Sequence, residues 1–167
     1  MHRVLVLSRL FPPENRAAAN RAYSWALNFN KHGIYPVFIT RDWAWTKFEV
    51  THKKFEGYEV YYVPFKQRKS YRFKTRPNFL AKKLGGLFHL WGYLFQYSFW
   101  NQPDGRLYSF AKEYLNNNRA NFDSLTVTAP PFIYLKMGYL LSNRFSLPWL
   151  ADYRDEWNSE GSIFKKD

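Results

Sequence analysis

The chain has 167 residues, enough for one domain with a real core and too few for two ordinary ones. Its 25 Lys plus Arg against 13 Asp plus Glu give a formal net charge of +12, which suits phosphates, anionic lipid or nucleic acid without choosing among them. With no cysteine, a disulfide framework and a thiolate metal site are excluded, and His2, His32, His52 and His89 lack ligand spacing, so no metal is expected.

Aromatic residues make up 22% of the chain, well above ordinary usage, so there is ample surface to bury and some to expose. The N-terminal "MHRVLVLSRLFPPEN" has an apolar run too short for a secretory signal, which points to a cytoplasmic protein. "RVLVLS" (3–8) is apolar on both alternating faces, as expected of a strand covered on both sides.

After the loop "RLFPPENR", residues 17–32 place Ala22, Trp25, Ala26 and Phe29 on one helical stripe, and Gly33 reads as the residue that stops the helix. "IYPVFIT" (34–40) is the next strand, completing a βαβ unit, with Pro36 at its start. "KFEVTH" (47–52) and "YEVYYV" (58–63) alternate around Glu56 and Gly57, which predicts a hairpin or a strand preceded by an extended arm.

Residues 66–83 carry eight Lys or Arg and no acid, a basic arm that repels itself unless something anionic is present. "LGGLFHLWGYLFQYSFW" (84–100) is apolar all round a helical wheel, implying burial, a partner or a lipid surface, but is a poor transmembrane span. Pro103 and Asp104 restart a helix to about Asn118, with a polar loop "NNNRAN" at its end, and "FDSLTVTA" (122–129) is a buried strand.

Pro130 and Pro131 open a helix whose expected core face is Ile133, Met137, Leu140 and Leu141, with Arg144 placed favourably near its end. "LPWLAD" (147–152) is expected to be a buried closing strand. Strands alternating with helices predict an α/β fold: a Rossmann-like, doubly wound, mostly parallel sheet with helices on both faces.

In such a sheet the loops "RLFPPENR", "TAPPF" and "ADYRDEW" meet at the carboxyl ends of the strands, where ligands bind. Asp152, Arg154 and Asp155 there would contact a polar ligand or simply brace one another. The start of the first helix, with Arg16 and Arg21, is a candidate phosphate site. There is neither a G-x-G-x-x-G after the first strand nor a P-loop, which argues against a dehydrogenase or a P-loop NTPase.

"VLVLSRLFPPEN" with "AAANRAYSWALNFNKHG", then "VFITRDW", "NQPDG", "FDSLTVTAPPFIYLKMGYLL" and "LPWLADYRDEW", stand in an order that resembles the N-terminal domain of the family-4 glycosyltransferases. That resemblance covers nearly the whole chain and implies one half of the GT-B fold, with retention at the transferred sugar and no metal. It implies a nucleotide-diphosphate sugar as donor substrate, with no permanently bound cofactor. Pro13, Glu14, Asn15 and Arg16 would face the donor phosphate and sugar, with Asn20 and Arg21 in the helix behind.

Thr128, Pro130 and Pro131 would form the acceptor-side loop, and Asp152, Arg154 and Asp155 the catalytic edge of the cleft. Two departures from the family pattern are plain: Arg16 and Ala17 stand where a glycine pair is common, and no histidine follows the last strand. The sequence reaches Asp167 without the second, donor-binding domain, so the resemblance implies a fragment inactive alone. The partners expected are a nucleotide-sugar, a glycan or lipid-linked acceptor, the missing C-terminal domain, and an anionic inner membrane surface met peripherally through 66–100. A non-catalytic adaptor and a basic nucleic-acid-binding module remain the competing readings, the latter disfavoured because no recognition helix or RNP motif is present.

Overall fold

In a computed structural model, residues 1–42, 49–64, 104–129 and 131–153 are described. The basic arm 66–83 and the aromatic segment 84–100 lie outside the described residues, as do Pro130, Arg154 and Asp155. Six strands form one sheet: β1 (His2–Leu7), β2 (Ile34–Asp42), β3 (Thr51–Phe55), β4 (Tyr58–Pro64), β5 (Ser124–Ala129) and β6 (Trp149–Tyr153). Their order is β3-β4-β2-β1-β5-β6, and every pairing is parallel except β3 with β4.

β1 is central because each of its faces is apolar. Leu5 and Leu7 join one core with Val37, Ile39, Leu125 and Val127, while Val4 and Val6 join the other with Phe38 and Val60. Helix α1 (Ala17–Asn28) covers the second face through Ala22 and Ala26. A 3-10 turn at Phe29–His32 tightens its end, and Gly33, at φ 72°, reverses the chain as only glycine does without strain.

Helices α2 (Gly105–Asn118) and α3 (Ile133–Phe145) cover the first face, so the sheet is doubly wound and Rossmann-like. The sequence "NNNRAN" is not a loop: Asn116 to Asn118 complete α2 and Arg119–Asn121 form a 3-10 turn. Arg119 holds that turn by donating to the carbonyls of Phe122, Phe145 and Ser146.

The hairpin is present, with β3 beginning at Thr51 and Gly57 at φ 88° in its turn. β3 is an edge strand whose exposed Lys53 and Lys54 discourage further pairing, and it is held by His52, which stacks on Tyr61 at 4.2 Å.

Two expectations about packing need correction. The buried face of α3 is Tyr134, Met137, Gly138 and Leu141, so Ile133 and Leu140 are only half-buried. Gly138 lets α3 press on the sheet: a Cβ there would meet Val127 at 2.6 Å and the Trp149 ring at 2.9 Å. β6 is not a buried strand either. Among the described residues it pairs only with β5, and Leu150 is 60% exposed.

Candidate functional site

The chain leaves β1 for β2 on one side and returns as β5 on the other, so the strand order reverses beside β1. In open α/β sheets the carboxyl edge at that reversal is where ligands bind. Three ties organise it. Ser8, just past β1, donates through Oγ to the Leu10 carbonyl at 2.8 Å, and Thr128 at the end of β5 lies 3.4 Å from the same hydroxyl. Tyr62 on β4 donates to the Pro12 carbonyl at 2.7 Å, fastening the first loop to the far side of the sheet.

The third tie is an ion pair. Arg21 on α1 donates to Oδ1 of Asp152 on β6 at 2.6 Å, joining residues near opposite ends of the chain. Asp152 is 8% exposed and its register partner on β5 is Thr128. The Arg21 side chain is 48% exposed, and its guanidinium carbon also lies 5.7 Å from the centre of the Trp25 ring, so the cation is held by two contacts while about half of the side chain meets solvent. The other carboxylate oxygen of Asp152, Oδ2, is buried with no hydrogen bond among the described residues.

Helix α1 enters this edge from extended backbone at Arg16, without a side-chain cap. The Arg16 carbonyl receives the N–H groups of Ala19 and Asn20, and the N–H groups before them are left to partners outside the helix, as at any helix start. Arg16 is exposed and sits 3.7 Å from Glu14; Asn20 is exposed as well.

Pro13, Glu14 and Asn15 line a cavity of about 240 Å³ on the β2–β4 side of β1, together with Phe11, Arg41, Asp42 and Tyr62. Burial, helped by Tyr58 and Asp42, pushes the Tyr62 phenol up to about 12. The Pro131 carbonyl accepts the Tyr134 N–H at 3.0 Å, which places Pro131 just before the cap of α3.

Beneath this edge lies a buried cluster that sequence reading missed. Arg41, at the end of β2, is 3.1 Å from Asp104, and both side chains are under 5% exposed. Tyr134 donates to the same carboxylate at 3.2 Å. Burial first and the Asp104 charge second push the Tyr134 phenol far above its usual range, against the pull of Arg41 and Arg9. The signal available was Arg41 directly after "VFIT" and Asp104 directly before a helix, but nothing local pairs them. Among the described residues no group of three or more His, Cys, Asp or Glu is placed to hold a metal.

No protein-family model matches the chain, and no curated protein matches it. Among solved structures it is similar to a sucrose-phosphate synthase from Thermosynechococcus elongatus, with a TM-score of 0.53 and 9% identity over 93% of this chain. The chain spans 33% of that synthase. It also overlaps the C-terminal domain of a hydrogenase from Pyrococcus furiosus, at a TM-score of 0.44 and 13% identity, covering 90% of this chain and 91% of that one. An overlap that loose says nothing of function. The first likeness establishes a shared fold: the chain adopts an α/β, Rossmann-like architecture that this sucrose-phosphate synthase also contains.

Proposed function

We propose that the chain is the N-terminal, acceptor-side domain of a retaining glycosyltransferase, which moves a sugar from a nucleotide-diphosphate donor to a cell-surface glycan or lipid-linked acceptor. Arg21, anchored by Asp152 and Trp25 beside the start of α1, carries this reading, because it presents a fixed cation where N–H groups also converge. Asn15, Arg16, Asn20 and Arg21 then receive the donor's phosphate and sugar. A second domain supplies most of the nucleotide site.

In transfer, the bond from the anomeric carbon to the diphosphate breaks, an acceptor oxygen takes its place, and the acceptor proton leaves with the departing group or a nearby base. Asp152, with Arg154 and Asp155 following it, forms the edge at which this occurs, and Thr128, Pro130 and Pro131 flank the acceptor. No metal is needed where cations and helix N–H groups neutralise the leaving diphosphate. The basic arm and aromatic segment, 66–100, hold the enzyme to an anionic cytoplasmic membrane face, each basic residue contributing on the order of 1 kcal/mol. Among the described residues no helix is long and apolar enough to cross a membrane.

The test is release of nucleoside diphosphate by the full-length protein from a panel of nucleotide sugars with lipid-linked acceptors. Arg21→Ala should lower kcat/KM at least ~100-fold, as loss of a transition-state charge contact does. Turnover unaffected by that change, or absent with every donor, would remove the basis of the proposal. For the membrane part, charge reversal within 66–83 should abolish sedimentation with anionic vesicles at low salt while leaving turnover on a soluble acceptor intact.

A further inference from the structure

The amino edge of the sheet, opposite the candidate site, carries a second grouping of reactive side chains. Val4 on β1 pairs with Ser124 at the start of β5, and His2 lies two residues before Val4. Alternation along a strand puts His2 on the same face as Val4, and the register puts Ser124 on that face too. His2 Nε2 accordingly stands 3.0 Å from the Ser124 hydroxyl. The other ring nitrogen, Nδ1, is 3.6 Å from Oδ2 of Asp123, too long for a hydrogen bond but near enough for the charge to favour the proton on Nδ1. That tautomer leaves the Nε2 lone pair turned to the hydroxyl, the arrangement in which an imidazole takes a serine proton.

Backbone bonds fix these positions. The Arg3 N–H donates to Asp123 Oδ2 at 2.7 Å and the Asp123 N–H donates to the Arg3 carbonyl at 2.9 Å, so the two segments clamp each other beside the histidine. The side chains of His2 and Asp123 are 50% and 53% exposed, so a reactant can approach the hydroxyl without the fold opening.

The same bonds restrict the chemistry. The N–H groups of His2, Arg3, Asp123 and Leu125 are committed to Gly33, Asp123, Arg3 and Pro148, so none of the four can hold the oxyanion of a tetrahedral intermediate. Forming an ester here then requires a donor with a good leaving group, and the ester persists, because its own hydrolysis must expel an alkoxide. The Asp123 carboxylate beside the hydroxyl opposes an anionic phosphoryl group and leaves a neutral acyl carbonyl unopposed.

We infer that Ser124 is an acyl-acceptor site, with His2 as its base and Asp123 as a positioning residue, and that it takes a single acyl group from a thioester. Ser124 Oγ attacks the carbonyl carbon as its proton passes to His2 Nε2; the carbon–sulfur bond breaks, and the thiolate leaves with that proton as a thiol. The products are a Ser124 ester, a free thiol and a neutral imidazole. The site does not depend on the sugar-transfer reading.

The full-length protein, incubated with S-acetyl-N-acetylcysteamine and digested, is to be mapped by mass spectrometry. Acetyl should appear on Ser124 and be removed by hydroxylamine, as an ester is and a lysine amide is not. It should form at least ~100-fold faster than on Ser24, which is exposed on α1 with no imidazole bonded to its hydroxyl among the described residues. H2Q should slow Ser124 by a similar ~100-fold, the usual loss with a general base, and leave Ser24 unchanged. Labelling of Ser124 should rise with pH and level off as the imidazole loses its proton, a step that H2Q removes. D123N should keep that step but lower the plateau several-fold at an unchanged melting temperature, which separates positioning of the imidazole from support of the fold. Ser124 labelled no faster than Ser24 in the unaltered protein, or H2Q leaving its rate unchanged, would overturn the inference, and an unchanged plateau in D123N would overturn the role of Asp123.

Discussion

Replacing Arg21 by alanine removes a 2.6 Å charge-assisted bond and leaves Asp152, 8% exposed, with neither carboxylate oxygen hydrogen-bonded among the described residues. An ordinary surface pair would lose ~0–1 kcal/mol, but a buried carboxylate stripped of its partner costs about 1–3 kcal/mol. Asp152→Ala removes the carboxylate together with its demand for a partner, so R21A/D152A should be no less stable than R21A alone. The coupling expected from the cycle is about 1–2 kcal/mol. Urea unfolding of the full-length protein, followed by tryptophan fluorescence at low salt and in 0.5 M (about 5-fold higher than the ~0.1 M at which surface charges are already screened beyond ~10 Å), measures it. The coupling should survive the added salt. Additive single changes of under ~0.5 kcal/mol each would show the contact to be a solvated surface pair and refute the claim that it fixes the first helix to the last strand.

Gly138→Ala gains ~1 kcal/mol of helix propensity but drives a methyl into Val127 and Trp149 at 2.6 and 2.9 Å, which costs about 1–3 kcal/mol. Net destabilisation, partly rescued by Val127→Ala, is expected in thermal unfolding. Asp104→Ala leaves Arg41 buried without its carboxylate and should cost about 3–5 kcal/mol, against ~1 kcal/mol for Tyr134→Phe. The folded protein holds protons on Tyr62 up to about 12, and on Tyr114 and Tyr134 beyond their usual range, while the unfolded chain releases them near the ordinary tyrosine value of ~10. Stability from these residues is therefore complete below pH ~10 and falls as pH rises toward 12; melting temperature against pH, with tyrosinate absorbance alongside, checks it.

The fold was legible wherever local pattern and tertiary role agree. The double-faced apolar run of β1 and the glycine stop after α1 each have one physical solution, and the structure takes it; at Glu56-Gly57, where a hairpin and an extended arm were both open, it forms the hairpin. In α3 the expected Met137 and Leu141 are buried, but Tyr134 takes the place given to Ile133, because it counts as amphipathic in sequence yet is fully buried with its hydroxyl on Asp104. β6 was read as buried since nothing in "LPWLAD" reveals that, among the described residues, it lies at an edge, a property of strand order alone.

Within the site, the nearness of Arg21 and Asp152 followed from a parallel sheet once strand ends are taken to converge, although their direct pairing did not. Arg41 and Asp104 were invisible for a different reason. In a chain with 25 basic residues an arginine after a strand looks like another solvated charge, and only the crossover that brings α2 under β2 makes it an interior one. The cavity was missed likewise, because Glu14 lies in the loop after β1 and Asp42 at the end of β2, and they meet only through the pairing of β1 with β2.

The clasp from Arg21 to Asp152 has a consequence for biosynthesis. The βαβ unit at the start can form as soon as it leaves the ribosome, since its contacts are near in sequence, whereas the carboxylate that fastens its helix is made more than a hundred residues later. For that interval the nascent helix has no anchor at its side, and a polypeptide truncated before β6 should show faster amide exchange in α1 than the longer one. Assembly of the edge where the strand ends meet is thereby deferred until β6 has been translated.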